Sequence, residues 1–215
     1  MPSDVVKFFD SFADTFDTLY DGRRNSFIRW LDHRFRSDMF IRFALSFEVL
    51  GDLTGKTVLD IGCGSGPYVV ESLRRGARWV TAVDPAPNML ALTREKLRSA
   101  GLADKCALVE SSFPCVDVEA HDHALVIGVM DYIVNASAFL TALRPLVKVS
   151  AALSFPSRHW LRMPLRRFRY HLRSCPVYFY DKTAIKELCS AAGFGTIAIH
   201  KIPGAGMDYH VCLKP

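Results

Sequence analysis

Hydrophobic positions in the first fifty residues recur at helical spacing. Phe8, Phe12 and Phe16 stand four apart, and Phe27, Leu31, Phe35, Met39, Phe43 and Phe47 repeat the step. A strict four-residue step rotates by about 40° per step on a helix of 3.6 residues per turn, so one straight helix cannot keep that stripe on a core. A break is expected, with Asp21-Gly22 as the turn between the first two helices and Ser37 as the N-cap of a further one. Beyond Leu50 apolar runs of strand length alternate with helical stretches. The pattern predicts strands at Thr57–Ile61, Trp79–Val83, Cys106–Glu110, Ala124–Gly128 and Val147–Phe155, and helices at Tyr68–Arg75, Pro87–Ala100 and Ala136–Leu143. Such alternation is the signature of a parallel sheet covered on both faces, a doubly wound α/β fold. The end of the chain departs from it: a helix at Lys182–Ala192, a strand at Gly195–His200, the turn Pro203-Gly204-Ala205-Gly206, and a last strand at Asp208–Leu213. So short a turn cannot hold a crossover helix, so these strands are expected to form a hairpin, giving a mostly parallel seven-stranded sheet with an antiparallel last strand.

Composition adds boundaries. The chain has 215 residues, half of them hydrophobic, with no linker, repeat or low-complexity tract, so one compact unit is expected. Its parts are a helical cap over residues 1–50 and an α/β domain over residues 51–215, with an insert at residues 156–180. Met1–Asp10 lacks the basic start and apolar run of a secretory signal, and no uncharged apolar run reaches the ~20 residues of a bilayer span, so the expected location is the cytoplasm. The six cysteines, Cys63, Cys106, Cys115, Cys175, Cys189 and Cys212, form no C-x-x-C pair and no cluster with histidine. They read as reduced, mostly buried thiols, with neither a metal site nor a disulfide framework. The net charge of +5 is concentrated: Pro156–Tyr180 holds six arginines and no acid, and without them acids outnumber bases by one.

The chemistry begins at Val58-Leu59-Asp60-Ile61-Gly62-Cys63-Gly64-Ser65-Gly66, a buried strand running into alternate glycines before a helix. Glycines let a ligand approach the backbone closely, at the edge where open α/β sheets bind ligands. The next strand ends at Asp84, a carboxylate able to accept hydrogen bonds from both hydroxyls of a ribose. A nicotinamide dinucleotide site shares these features, but two details oppose it. The sixth position of the loop is Pro67, which has no amide to offer a pyrophosphate, and Asp60 places negative charge where pyrophosphate would be repelled and a sulfonium or ammonium attracted.

VLDIGCGSG resembles the first motif of the class I, Rossmann-like S-adenosylmethionine-dependent methyltransferases, and VTAVDPAPNML resembles their second; the likeness covers about Leu53 to Val134. It implies S-adenosyl-L-methionine as cofactor, with Asp60, Gly62, Gly64 and Gly66 lining its methionine side together with Cys63, Asp84 holding the ribose, and Pro85 and Met89 flanking the adenine. In Leu108-Val109-Glu110-Ser111-Ser112-Phe113, where the family carries an acid for the adenine amine, the register stays open between Glu110, Ser111 and Ser112. Gly128 falls beside the transferable methyl. Phe8–Tyr20 is similar to the lead-in helix of small-molecule methyltransferases, with Tyr20 the aromatic expected to close over the cofactor.

The acceptor half is less determined. Ala124–Tyr132 lacks the N/D-P-P-Y pattern of nucleic-acid amino methylation, which disfavours that reading. Methyl transfer to oxygen needs an aligned nucleophile and a base, for which Asp131, Tyr132, His159 and His171 are candidates beside the alternative that Tyr132 packs in the core and the histidines are solvated. The basic insert suggests an acceptor lid, Arg158, Arg162, Arg166, Arg167 and Arg169 binding an anionic small-molecule acceptor. An amphipathic helix with a solvated basic face and a peripheral membrane contact are the alternatives. The expectation is O-methylation of a small or medium-sized anionic acceptor, with an RNA methyltransferase and a non-catalytic S-adenosylmethionine-binding subunit as rivals.

Overall fold

The apolar runs become the strands of one sheet because turns break the chain between them and helices on the two faces cover most of their apolar side chains. The computed structural model describes residues 39–157, 178–202 and 208–215. A helix over residues 39–50 (α1) leads into β1 (Thr57–Ile61), α2 (Pro67–Arg74), β2 (Trp79–Asp84), α3 (Pro87–Ser99), β3 (Cys106–Glu110) and β4 (His121–Val126). Then follow α4 (Ala136–Leu143), β5 (Val147–Phe155), α5 (Lys182–Ala191), β6 (Thr196–Lys201) and β7 (Tyr209–Lys214). The seven strands stand in the order β3-β2-β1-β4-β5-β7-β6. The first five pair in parallel, and β7 runs antiparallel to both β5 and β6. The predicted α/β fold and terminal hairpin are both present.

Alternation along the strands divides the core in two. Val58, Val80, Ala82, Leu125 and Ala152 pack with Phe47 and Leu50 of α1, Tyr68 and Leu73 of α2, and Leu90 and Leu97 of α3. On the opposite face Leu59, Ile61, Val83, Ala124, Val126 and Leu153 pack with Phe139 and Leu140 of α4 and Ile185 and Cys189 of α5. Local chemistry fixes the helix starts. Asn135 and Asp181 cap α4 and α5 by accepting from the amides of Ala138 and Ala184, at 3.0 and 2.9 Å, and Pro67 and Pro87 open α2 and α3.

Some expectations need correction. The fourth strand was expected at Ala124–Gly128 but starts at His121 and ends at Val126. Its polar opening hides in the sheet because each side chain has a partner: His121 Nε2 lies 2.9 Å from Thr81 Oγ1, Asp122 accepts from the Thr57 amide at 2.8 Å, and His123 Nδ1 lies 2.9 Å from Ser150 Oγ. Of the five described cysteines, all free, only Cys63 and Cys189 are buried; Cys106 and Cys212 are half-buried and Cys115 is exposed. The two N-terminal helices with their Asp21-Gly22 turn, the Ser37 cap, Cys175, the turn at residues 203–206 and most of the basic insert lie outside the described residues.

Candidate active site at the carboxyl edge of the sheet

Strand β1 delivers the glycine loop to the carboxyl edge, where the amides of Gly62 and Cys63 both donate to the Val83 carbonyl, at 2.7 and 3.2 Å. Gly62 and Gly66 are demanded by packing. Both have positive φ, 73° and 77°; a Cβ on Gly62 would collide with Val129 Cγ2, and one on Gly66 would lie 2.6 Å from Thr93 Cγ2. Gly64 differs. Its Cβ position opens onto empty space, with no atom within 4 Å, while its amide donates to Asp84 Oδ2 at 2.9 Å and its carbonyl accepts the Thr93 hydroxyl at 2.8 Å. The loop is braced by the protein on both sides and bare in the middle.

Two carboxylates lie behind that opening. Asp60, second residue from the loop side of β1's buried run, is 2 % exposed, and its Oδ2 has no hydrogen-bond partner. Burial, and then the nearby charge of Asp84, push its carboxyl up to about 8. Asp84 is itself buried, its Oδ1 accepting from the Ala86 amide at 2.9 Å and its Oδ2 from Gly64. A carboxylate accepts at about four lone-pair sites, so holding the turn leaves Asp84 capacity for further donors. An unpaired buried carboxyl is costly unless something positive arrives to meet it. The Cys63 thiol is buried and pushed up first by desolvation and then by Asp60, which leaves it inert.

Beside the loop lies a recess lined by Gly62, Pro85, Ser111, Ser112, Phe113 and Phe139, among others. Ser111 and Ser112 face it, whereas Glu110 is exposed at the end of β3 and does not line it. Phe113 and Phe139 close its floor, with ring centroids 4.8 Å apart. Met89 is 1 % exposed and is not among the lining residues.

On the other side of the loop Gly128 follows β4 with φ 73° and open space at its Cβ position, its amide donating to Ser154 Oγ at 2.7 Å. A short turn, Met130–Tyr132, then carries Asp131 and Tyr132, both buried. The Asp131 carbonyl accepts from the Tyr178 amide at 2.8 Å. Tyr180, whose hydroxyl donates to the Met130 carbonyl at 3.4 Å, is pushed up to about 12 by burial and then by Asp131. The structure therefore brings Asp60, Gly62, Cys63, Gly64, Gly66, Asp84, Pro85, Ser111, Ser112, Gly128, Asp131 and Tyr132 to one edge of the sheet. Tyr20, His159, His171, Arg158, Arg162, Arg166, Arg167 and Arg169 lie outside the described residues. Thr93, Val129, Ser154 and Tyr180 were not singled out in the sequence. Each acts through a contact between elements far apart in the chain, which no local motif signals. Among the described residues there is no histidine, cysteine and carboxylate grouping able to hold a metal, and no helix long and apolar enough to cross a membrane.

A mostly parallel sheet with a reversed last strand carries, at its carboxyl edge, a bare glycine loop backed by buried carboxylates, the layout of a Rossmann-like domain. Comparison with known proteins agrees. Residues 58–150 match the family model of a methyltransferase domain. The chain is 38% identical over 69 residues to the ribosomal protein L11 methyltransferase of Photobacterium profundum, a match covering 32% of this chain and 24% of that relative. It is 28% identical over 176 residues to the ubiquinone biosynthesis O-methyltransferase of Neisseria meningitidis, covering 74% and 70% of the two. Among solved structures it is similar to magnesium protoporphyrin IX methyltransferase from Synechocystis with bound S-adenosylhomocysteine, with a TM-score of 0.78 at 18% identity over 98% of each chain. The chain thus spans about a quarter of the length of the ribosomal-protein relative and most of the length of the other two. Residues 58–150 of the chain match a methyltransferase domain, and its fold is that of solved methyltransferases.

Proposed function

We propose that the protein transfers the methyl group of S-adenosylmethionine to an oxygen of a small or medium-sized anionic acceptor. The observation that carries the cofactor half is Asp60: a buried, unpartnered carboxyl beside the loop is matched to the ammonium or sulfonium of this ligand and mismatched to a pyrophosphate. When bound, S-adenosylmethionine supplies an electrophilic methyl group on sulfur. Asp60 and the bare face of Gly64 would hold its methionine end, Asp84 the ribose hydroxyls, and Pro85, Ser111 and Ser112 the adenine. Thr93 keeps the Gly64 carbonyl turned away from that face.

The acceptor half rests on different support. The carboxyl edge beyond Gly128 presents Asp131 close to Tyr180, and the arginines of residues 156–180 follow directly after β5 in sequence. Asp131 is the described candidate to take a proton from an acceptor hydroxyl; an acceptor that already carries a negative oxygen needs no base, only alignment and charge, which arginines supply. The names of the ubiquinone and magnesium protoporphyrin relatives, each a small-molecule methyltransferase, favour an acceptor of that class.

The test is incubation of the full chain with cell extract and isotopically labelled S-adenosylmethionine. A small product heavier by one methyl group is expected, with weakened acceptor binding and unchanged cofactor binding in the Arg166→Gln, Arg167→Gln double variant. Label appearing only in RNA or protein, or acceptor binding untouched by that variant, contradicts the proposal.

A further inference from the structure

Parallel sheets are normally covered on both faces by their crossover helices. One crossover here has no helix: residues 111–120, which join β3 to β4, run without one. The part of β1, β2 and β3 that such a helix would cover carries Thr57, Trp79, Thr81 and Val109, and between these strands and the connection lies a cleft of about 570 Å³. That volume falls in the range of roughly 300–1,000 Å³ found for small-molecule sites. The cleft runs from Thr57 and Trp79 at the amino ends of β1 and β2 to Val109 near the carboxyl end of β3, and none of its lining residues belongs to the glycine loop.

Its lining is wrong for a packed helix and right for a small polar molecule. The floor is a hydroxyl and an imidazole, Thr81 and His121, joined to each other at 2.9 Å, with the second ring nitrogen of His121 2.7 Å from the Glu119 carbonyl. An apolar helix face would desolvate that floor for nothing. The wall is the indole of Trp79, 39 % exposed. Two cations, Arg78 and Lys148, and two acids, Asp117 and Glu119, complete the lining, and among the described residues none of the four is in an ion pair. Opposite charges that share a cleft yet do not meet leave room for a ligand carrying both signs, and an exposed indole offers a planar face to stack on.

We propose that this cleft is a second binding site, separate from the cofactor edge, for a small aromatic zwitterion: a planar ring bearing one acidic group and one ammonium. The acid meets Arg78 and Lys148, the ammonium meets Asp117 and Glu119, and the ring lies against Trp79.

The experiment is calorimetric titration of the full chain with L-tyrosine, with tyramine, which lacks the carboxylate, and with 3-(4-hydroxyphenyl)propionate, which lacks the ammonium. Saturable binding of L-tyrosine is expected, at least tenfold tighter than that of either analogue. An Arg78→Gln, Lys148→Gln variant and a Trp79→Leu variant should each weaken it at least tenfold while leaving the affinity for S-adenosylhomocysteine unchanged. No saturable binding of L-tyrosine, equal binding of the singly charged analogues, displacement of L-tyrosine by S-adenosylhomocysteine, or unaltered binding in both variants would each overturn the proposal.

Discussion

The two edges of the sheet bury polar groups in opposite ways. At the amino edge His121, Asp122 and His123 are matched atom by atom with Thr81, Thr57 and Ser150, and burial holds both imidazoles below their ordinary range. At the carboxyl edge Asp60 is just as buried but has an oxygen with no partner, and Asp84 next to it raises rather than relieves the cost of ionising it. Satisfied buried groups fix architecture; an unsatisfied carboxyl behind a bare glycine loop marks a candidate place for a ligand. The same distinction separates the floor of the amino-edge cleft, which is satisfied, from its unpaired charged rim.

Neutralising Asp60 should affect the carboxyl edge most. Asp60→Asn should weaken S-adenosylhomocysteine binding by about a hundredfold, the loss typical when one member of a buried charge pair is removed, and abolish its thermal shift. In the ligand-free protein the same change should raise Tm at pH 8, because it removes a carboxyl that the fold resists ionising. Next in size is Gly62→Ala, which combines positive φ with a collision against Val129 and should cost roughly 2–3 kcal/mol of stability in a denaturant titration. Adding Val129→Ala should restore the part that comes from the collision.

The buried carboxyl and the buried histidines should also respond to pH with opposite sign. Asp60 has a folded-state value of about 8 against 3.8 unfolded, so the stability it contributes is full below the unfolded value and lost as pH rises toward 8. The buried histidines work the other way. His210, 0 % exposed and pushed down to about 4 by burial and then by His200 and Arg42, contributes stability above about 6.5 that is lost as pH falls toward 4, and His121 and His123 are shifted in the same direction. Tm measured across this range should therefore peak in between; Asp60→Asn should flatten the alkaline side and His210→Gln the acid side. The smallest expected effect distinguishes structure from site. Ser150→Ala should cost about 1 kcal/mol of stability with no change in cofactor affinity, whereas Thr93→Val, which loses the bond to the Gly64 carbonyl, should cost about 1 kcal/mol in cofactor affinity as well.

Local signals carried the sequence reading a long way where they were short and repeated. Apolar runs of strand length between helical stretches located the parallel strands, the brevity of the final turn foretold the reversed strand, and Asp60, the alternate glycines and Asp84 all came to the carboxyl edge. Beyond that the determinants are non-local. The polar start of β4 reads as a loop until Thr81, Thr57 and Ser150 are known to face it, and only the end of β3 places Ser111 and Ser112 on the recess while Glu110 stays off it. Thr93 is one more helical threonine until its hydroxyl is seen on the glycine loop. The acceptor residues lack any such spacing rule, because an acceptor pocket is assembled from loop ends whose partners change with the substrate.

Asp60 is expected to stand protonated near neutral pH in the free protein and to ionise as it meets the ammonium of the cofactor. Proton release on binding S-adenosylhomocysteine tests it directly, by calorimetry at pH 7 in buffers of different ionisation enthalpy. About one proton should be released per molecule bound by the natural protein, as expected for a group with a free value of about 8, and none by Asp60→Asn. Binding without proton release, or the same release in both proteins, would contradict the account.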